Sequence, residues 1–120
     1  MHLFIRKRED KAITLPLLEE GNPVNVGLSG LVHNITATVF SAQTETSACY
    51  SLVPQSGFDT LEIDPLIDNV IKFKMLGKDT AHFPYGPLTV NVKIWWVDVD
   101  FPISSRLQIL HCPIGRVVNH

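Results

Sequence analysis

The sequence predicts a mostly β protein, built as an antiparallel β-sandwich, and three observations carry that expectation. From Leu88 to Trp96 apolar and polar residues alternate. Leu88, Val90, Val92, Ile94 and Trp96 fall on one face and Thr89, Asn91 and Lys93 on the other, the period-two signature of a half-buried antiparallel strand. After Trp95-Trp96 the phase inverts, with Val97, Val99 and Phe101 apolar against Asp98 and Asp100, as an extra residue or bulge near the tryptophan pair would produce. Elsewhere, short apolar runs are separated by clusters of Gly, Pro, Asn and Ser, residues whose dihedral preferences favour turns, and strands spaced this way suggest a sandwich or barrel.

Taken in order, the expected strands are Leu3 to Ile5, Ala12 to Leu18, Val24 to Leu28, Leu31 to Phe40, Ala48 to Val53, Ile71 to Met75, Leu88 to Val99 and Leu107 to Ile114. Turn signals stand between them at Glu20 to Pro23, Pro54 to Gly57, Gly77 to Asp79, Pro84 to Pro87 and Pro102 to Ser105. Residues 65–76 carry two patterns at once. Asp64-Pro65 reads as an N-cap followed by proline at the first helical position, Leu66/Val70 and Ile67/Ile71 are spaced by four, and Gly77 would be the stop, so a short helix is expected near 65–76. Ile71, Phe73 and Met75 alternating with Lys72 and Lys74 read instead as a strand. The architecture is immunoglobulin-like in its layers only. In an immunoglobulin domain the tryptophan follows soon after the first cysteine, whereas Trp95 and Trp96 come late and no tyrosine sits two residues before Cys112.

The chain has 120 residues and reads as a single domain over 1–120, with no repeat, low-complexity tract or linker to divide it. Its 45% apolar content and 18% charge are ordinary for a globular domain. No apolar run approaches the roughly 20 residues that cross a bilayer, so an integral membrane protein is not expected. Only four residues separate Met1 from Arg6-Lys7-Arg8, too few for a signal-peptide core, so the chain is either cytoplasmic or has lost a leader. Ten Lys/Arg against twelve Asp/Glu leave a net charge of −2, which lacks the positive field that phosphate-backbone binding needs, and no nucleic-acid partner is expected.

Signatures of catalysis are missing from the sequence. The serines have no Gly-x-Ser-x-Gly context, Cys49 has no thiol-nucleophile motif, and there is no phosphate-cradling or dinucleotide glycine pattern. Asp98 and Asp100 would share a strand face, roughly 6.5–7 Å apart. Such a pair can hold a divalent cation or work as acid and base, but it also serves simply to keep a strand end soluble. His2, His33, His82, His111 and His120 are scattered, and neighbouring His111 and Cys112 would point to opposite faces of a strand. No enzyme, cofactor or metal site is therefore expected. Cys49 and Cys112 lie in apolar segments that could be adjacent strands. Either they form a disulfide, contributing about 4 kcal/mol for a loop of this size, or they are two buried thiols. Asn34-Ile35-Thr36 is an N-glycosylation sequon on the polar face that Asn34 shares with Thr36 and Thr38.

The large apolar residues Ile35, Val39, Tyr50, Leu52, Phe58, Phe73, Val90, Val92, Ile94 and Trp96 would converge between two packed sheets. They either fill a core or, with the sheets splayed, line a cavity for an apolar ligand. Here the order of features resembles the ML lipid-recognition family, the secreted β-sandwich group that includes mite group two allergens and the Niemann-Pick type C sterol carrier. The matching stretches are Gly21-Asn22-Pro23-Val24, the sequon strand Val32 to Val39, Tyr85 to Asp100 with its Val-Asn-Val-Lys-Ile-Trp core, and Leu110 to Ile114 around Cys112. The resemblance implies a secreted or lumenal, non-enzymatic carrier that holds a lipid or sterol between its sheets, with Phe58, Phe73, Val92 and Trp96 as ligand-binding wall residues. The rival expectation is a protein-interaction or structural module, such as a subunit of a larger assembly or a viral structural protein. Its cues are the charged Arg6 to Lys11 arm and the adjacent tryptophans, one of which a regular strand would leave on the outer face.

Overall fold

The computed structural model describes residues 2–27, 32–41, 46–51, 61–64, 66, 68–97 and 105–118. Strands dominate: β1 (Leu3–Arg6), β2 (Lys11–Pro16), β3 (Leu18–Glu19), β4 (Asn22–Pro23), β5 (Val32–Phe40), β6 (Ser47–Ser51), β7 (Glu62–Ile63), β8 (Val70–Met75), β9 (Gly86–Val97) and β10 (Ser105–Val118). A single helical turn, α1 (Gly77–Thr80), lies between β8 and β9. One sheet has the order β1-β10-β9-β5-β6, a second β2-β8-β7, and β3-β4 form a small hairpin. The expectation of a wholly antiparallel fold is corrected at one edge, where β1 runs parallel to β10 and makes the five-stranded sheet mixed.

The two sheets share one core because each alternates as the sequence requires. Ile35, Ala37 and Val39 of β5 and Leu88, Val90, Val92 and Ile94 of β9 are buried together with Ile13 and Leu15 of β2 and Ile71, Phe73 and Met75 of β8. Tyr50 of β6 stacks on Phe73 of β8, with ring centroids 4.9 Å apart and planes 26° from parallel, so the sheets meet by direct ring contact there. The irregularity expected near Trp95-Trp96 falls on the partner strand. Val32 faces Trp96 and Asn34 faces Trp95, so the register slips at His33 and β9 itself runs on without a break. A second register shift falls between Pro113 and Gly115 of β10, at the point where β1 begins to pair with that strand.

Over its described part, the helix expected near 65–76 gives way to a turn and then to β8. Asp64 does cap a turn, its Oδ1 accepting the Leu66 N–H at 3.0 Å and its Oδ2 pairing with Lys72 Nζ at 3.1 Å. Leu66, however, is 91% exposed while Val70 is buried, so these two do not share a helical face, and the alternation of Ile71, Phe73 and Met75 wins because β2 stands opposite to pair with it. Gly77 starts α1 instead of ending a helix. A Cβ there would lie 2.5 Å from the Arg8 carbonyl oxygen, which only glycine permits. The β1–β2 connection is clamped at this point. Arg8 N–H donates to Thr80 Oγ1 (2.9 Å), Thr80 Oγ1 donates to the Gly77 carbonyl (3.1 Å), and Gly77 N–H donates to Asp10 Oδ1 (2.8 Å). Val24 to Leu28 is also corrected over its described part. Val24 and Val26 are buried, but their N–H groups donate to the isolated carbonyls of Leu17 and Asp68 and build no strand ladder.

Candidate functional site

The residues expected to wall a ligand cavity are placed differently from one another. Phe73 and Val92 are buried in the common core, Phe73 held flat against Tyr50. Trp96 is half-buried at the rim, where its Nε1–H donates to Gln108 Oε1 at 2.9 Å. Gln108 Nε2 in turn donates to Glu19 Oε2 of the β3–β4 hairpin, and the Arg106 guanidinium lies 5.9 Å from the Trp96 ring. Phe58, like Asp98 and Asp100, lies outside the described residues. Clefts formed by described residues open at the surface. One of about 530 Å³ beside β1 is lined by Phe4, Arg6, Glu9, Asp10, Lys11 and Val118. Another of about 440 Å³ lies over the exposed side of the smaller sheet, at Ala12, Thr14, Lys72 and Lys74 among others.

The cysteines do not pair. Cys49 on β6 is in register with Thr38, Asn91 and His111, whereas Cys112 on β10 is in register with Val90, Val39 and Ala48. They therefore occupy opposite faces of one sheet, three strand spacings or about 14 Å apart, far beyond the reach of a disulfide. Both thiols are free. Cys49 Sγ accepts the Thr38 hydroxyl at 3.5 Å, and burial pushes the Cys112 thiol pKa up from its ordinary value. Asn34 stands on the outer face with Thr36 and Thr38, half-buried, its Oδ1 accepting the Ile35 N–H at 2.8 Å. Nearby, His111 Nδ1 meets Asn91 Oδ1 at 2.5 Å. Among the described residues no three His, Cys, Asp or Glu side chains gather as a metal ion would require, and no described helix is long and apolar enough to cross a membrane.

The most distinctive surface is one that sequence reading passed over: β10 from Ser105 to Pro113. β9 covers one side of it, but β1 pairs only with Gly115–Val118, so among the described residues no strand pairs with the other side of this stretch. On the outer face of the same stretch Leu107 and Ile109 are 47% and 45% exposed, next to Trp95 and Lys93 of β9. The signal was present in the sequence. Leu107 and Ile109 are apolar on one phase, Leu110 and Cys112 on the other, and no Asp, Glu, Lys or Arg interrupts Leu107 to Cys112. Such a strand has two apolar faces, and the one turned away from the core is left half-exposed. No family model matches this chain, and no curated protein or solved structure matches it either.

Proposed function

We propose that the protein is a non-enzymatic interaction module, a β-sandwich that engages a protein partner through the open edge and outer face of β10. The observation that carries this reading is the coincidence, on one stretch of strand, of backbone that no described strand pairs with and exposed Leu107 and Ile109. An edge of this kind offers main-chain hydrogen bonds for affinity and side-chain contacts for selectivity, the basis of strand addition. The same residues make a carrier less well supported. Phe73 and Val92, which would wall a ligand cavity, already satisfy their apolar surface against the protein's own core, and a lipid would have to displace that packing.

Native mass spectrometry of the purified protein, followed by organic extraction, separates the two readings. The expected result is a mass accounted for by protein alone and no uptake of added sterol or fatty acid. A stoichiometric lipid that is lost on Trp96→Asp, with the fold intact by circular dichroism, overturns the interaction reading in favour of a carrier.

A further inference from the structure

Resting on that reading, we propose that the occupant of the open β10 edge is a second copy of this chain, joined strand to strand about a twofold axis through Gln108. Three features of the edge point to this partner. Natural sheet edges are usually blunted by lysines, prolines, bulges or charges turned inward. In β10 the deterrents stand only at the ends, Arg106 at one and Pro113 with its bulge at the other, while Leu107 to Cys112 carries none.

The length available also fits self-pairing. β1 begins opposite Gly115, so an incoming strand can run along Ser105–His111, about 23 Å of edge, before it meets β1. An antiparallel second copy of the same stretch covers it when Gln108 faces Gln108 of the second copy. Ser105 then faces the second His111, Arg106 the second Leu110, and Leu107 the second Ile109. Facing residues share a sheet face, so the exposed Leu107 and Ile109 of both copies close into one apolar cluster on the outer side.

Charge agrees with this register. Glu19 is held at Gln108 by its hydrogen bond, and among the described residues no cation pairs with it. In the twofold arrangement Arg106 of the second copy lies diagonally across from Gln108, within reach of that carboxylate, and the symmetry repeats the pair. The strand contact is small compared with a standard interface, so the dimer should be weak and reversible.

Sedimentation velocity of the full chain from about 1 to about 500 μM, the range in which a contact of this size dissociates, tests the proposal. The expected result is a concentration-dependent monomer–dimer equilibrium, with amide exchange at Leu107–Leu110 slowing as dimer forms. Leu107→Lys and Ile109→Lys should each weaken the dimer at least about tenfold, because each change enters the contact twice. Glu19→Arg should weaken it, and adding Arg106→Glu should restore it, an outcome that a merely unfolded variant does not give. A chain that stays monomeric over the whole range, or a dimer indifferent to all four substitutions, overturns the self-pairing. Those results leave the interaction reading standing when no lipid is bound, whereas a stoichiometric co-purifying lipid overturns the interaction reading itself.

Discussion

Replacing Phe73 by alanine distinguishes a filled core from a ligand-lined one. Phe73 is 4% exposed, sits in register with Ile13 of β2, and stacks on Tyr50 across the gap between the two sheets. Truncating a phenylalanine packed in this way removes its transfer energy and leaves a void, a cost of about 3–5 kcal/mol, of which the ring pair itself accounts for about 0.5–1.5 kcal/mol. Against the 5–15 kcal/mol typical of a whole domain, that is roughly a fifth of the stability or more. With a shift on the order of 4 °C per kcal/mol at this chain length, the melting temperature should fall by about 12–20 °C. Urea unfolding followed by the fluorescence of Trp95 and Trp96 measures the change directly, and Phe73→Leu should recover more than half of it. A loss below about 1 kcal/mol would refute the filled core, because a residue that walls an empty or lipid-filled space gives up few protein contacts when it is shortened.

Other consequences follow from the same packing. Gly115 has φ +142°, and a Cβ there would stand 2.0 Å from the Leu3 carbonyl oxygen, so Gly115→Ala should cost about 3 kcal/mol or more and strip exchange protection from β1 while leaving β5–β9 protected. Thr80→Val removes the hydroxyl that serves both Arg8 N–H and the Gly77 carbonyl; a loss of about 2–3 kcal/mol by chemical denaturation is expected, with Thr80→Ser nearly neutral. The Cys112 thiol, raised by burial, loses its proton more readily in the unfolded chain than in the folded one. Its contribution to stability is therefore complete below the unfolded thiol's range of about 8.5–9 and is lost as pH rises from there through the folded value. Cys112→Val should flatten that alkaline decline in a pH series of melting temperatures.

What the sequence determined by itself is whatever depends on near neighbours along the chain. The alternation in Leu88–Trp96 and in Ile71–Met75 assigns each residue a face, because successive side chains on a strand point opposite ways whatever the strand pairs with. The same logic put Ile35 and Val39 inward and Asn34, Thr36 and Thr38 outward, as the structure has them. Tertiary structure decided everything that depends on which strands become neighbours. Cys49 and Cys112 both lie in apolar strands, but only the order β10-β9-β5-β6 puts three spacings between them and turns their side chains to opposite faces. Residues 65–76 held helical and extended patterns of similar strength locally, and the partner strand Lys11–Pro16, some 60 residues away, tipped the balance. The parallel β1 likewise depends on its long-range register with Gly115–Val118. The open edge lies between the two cases: the unbroken apolar character of Leu107–Cys112 is local, but that β1 stops short of it, so that among the described residues no strand pairs with its outer side, is a fact of the assembled sheet.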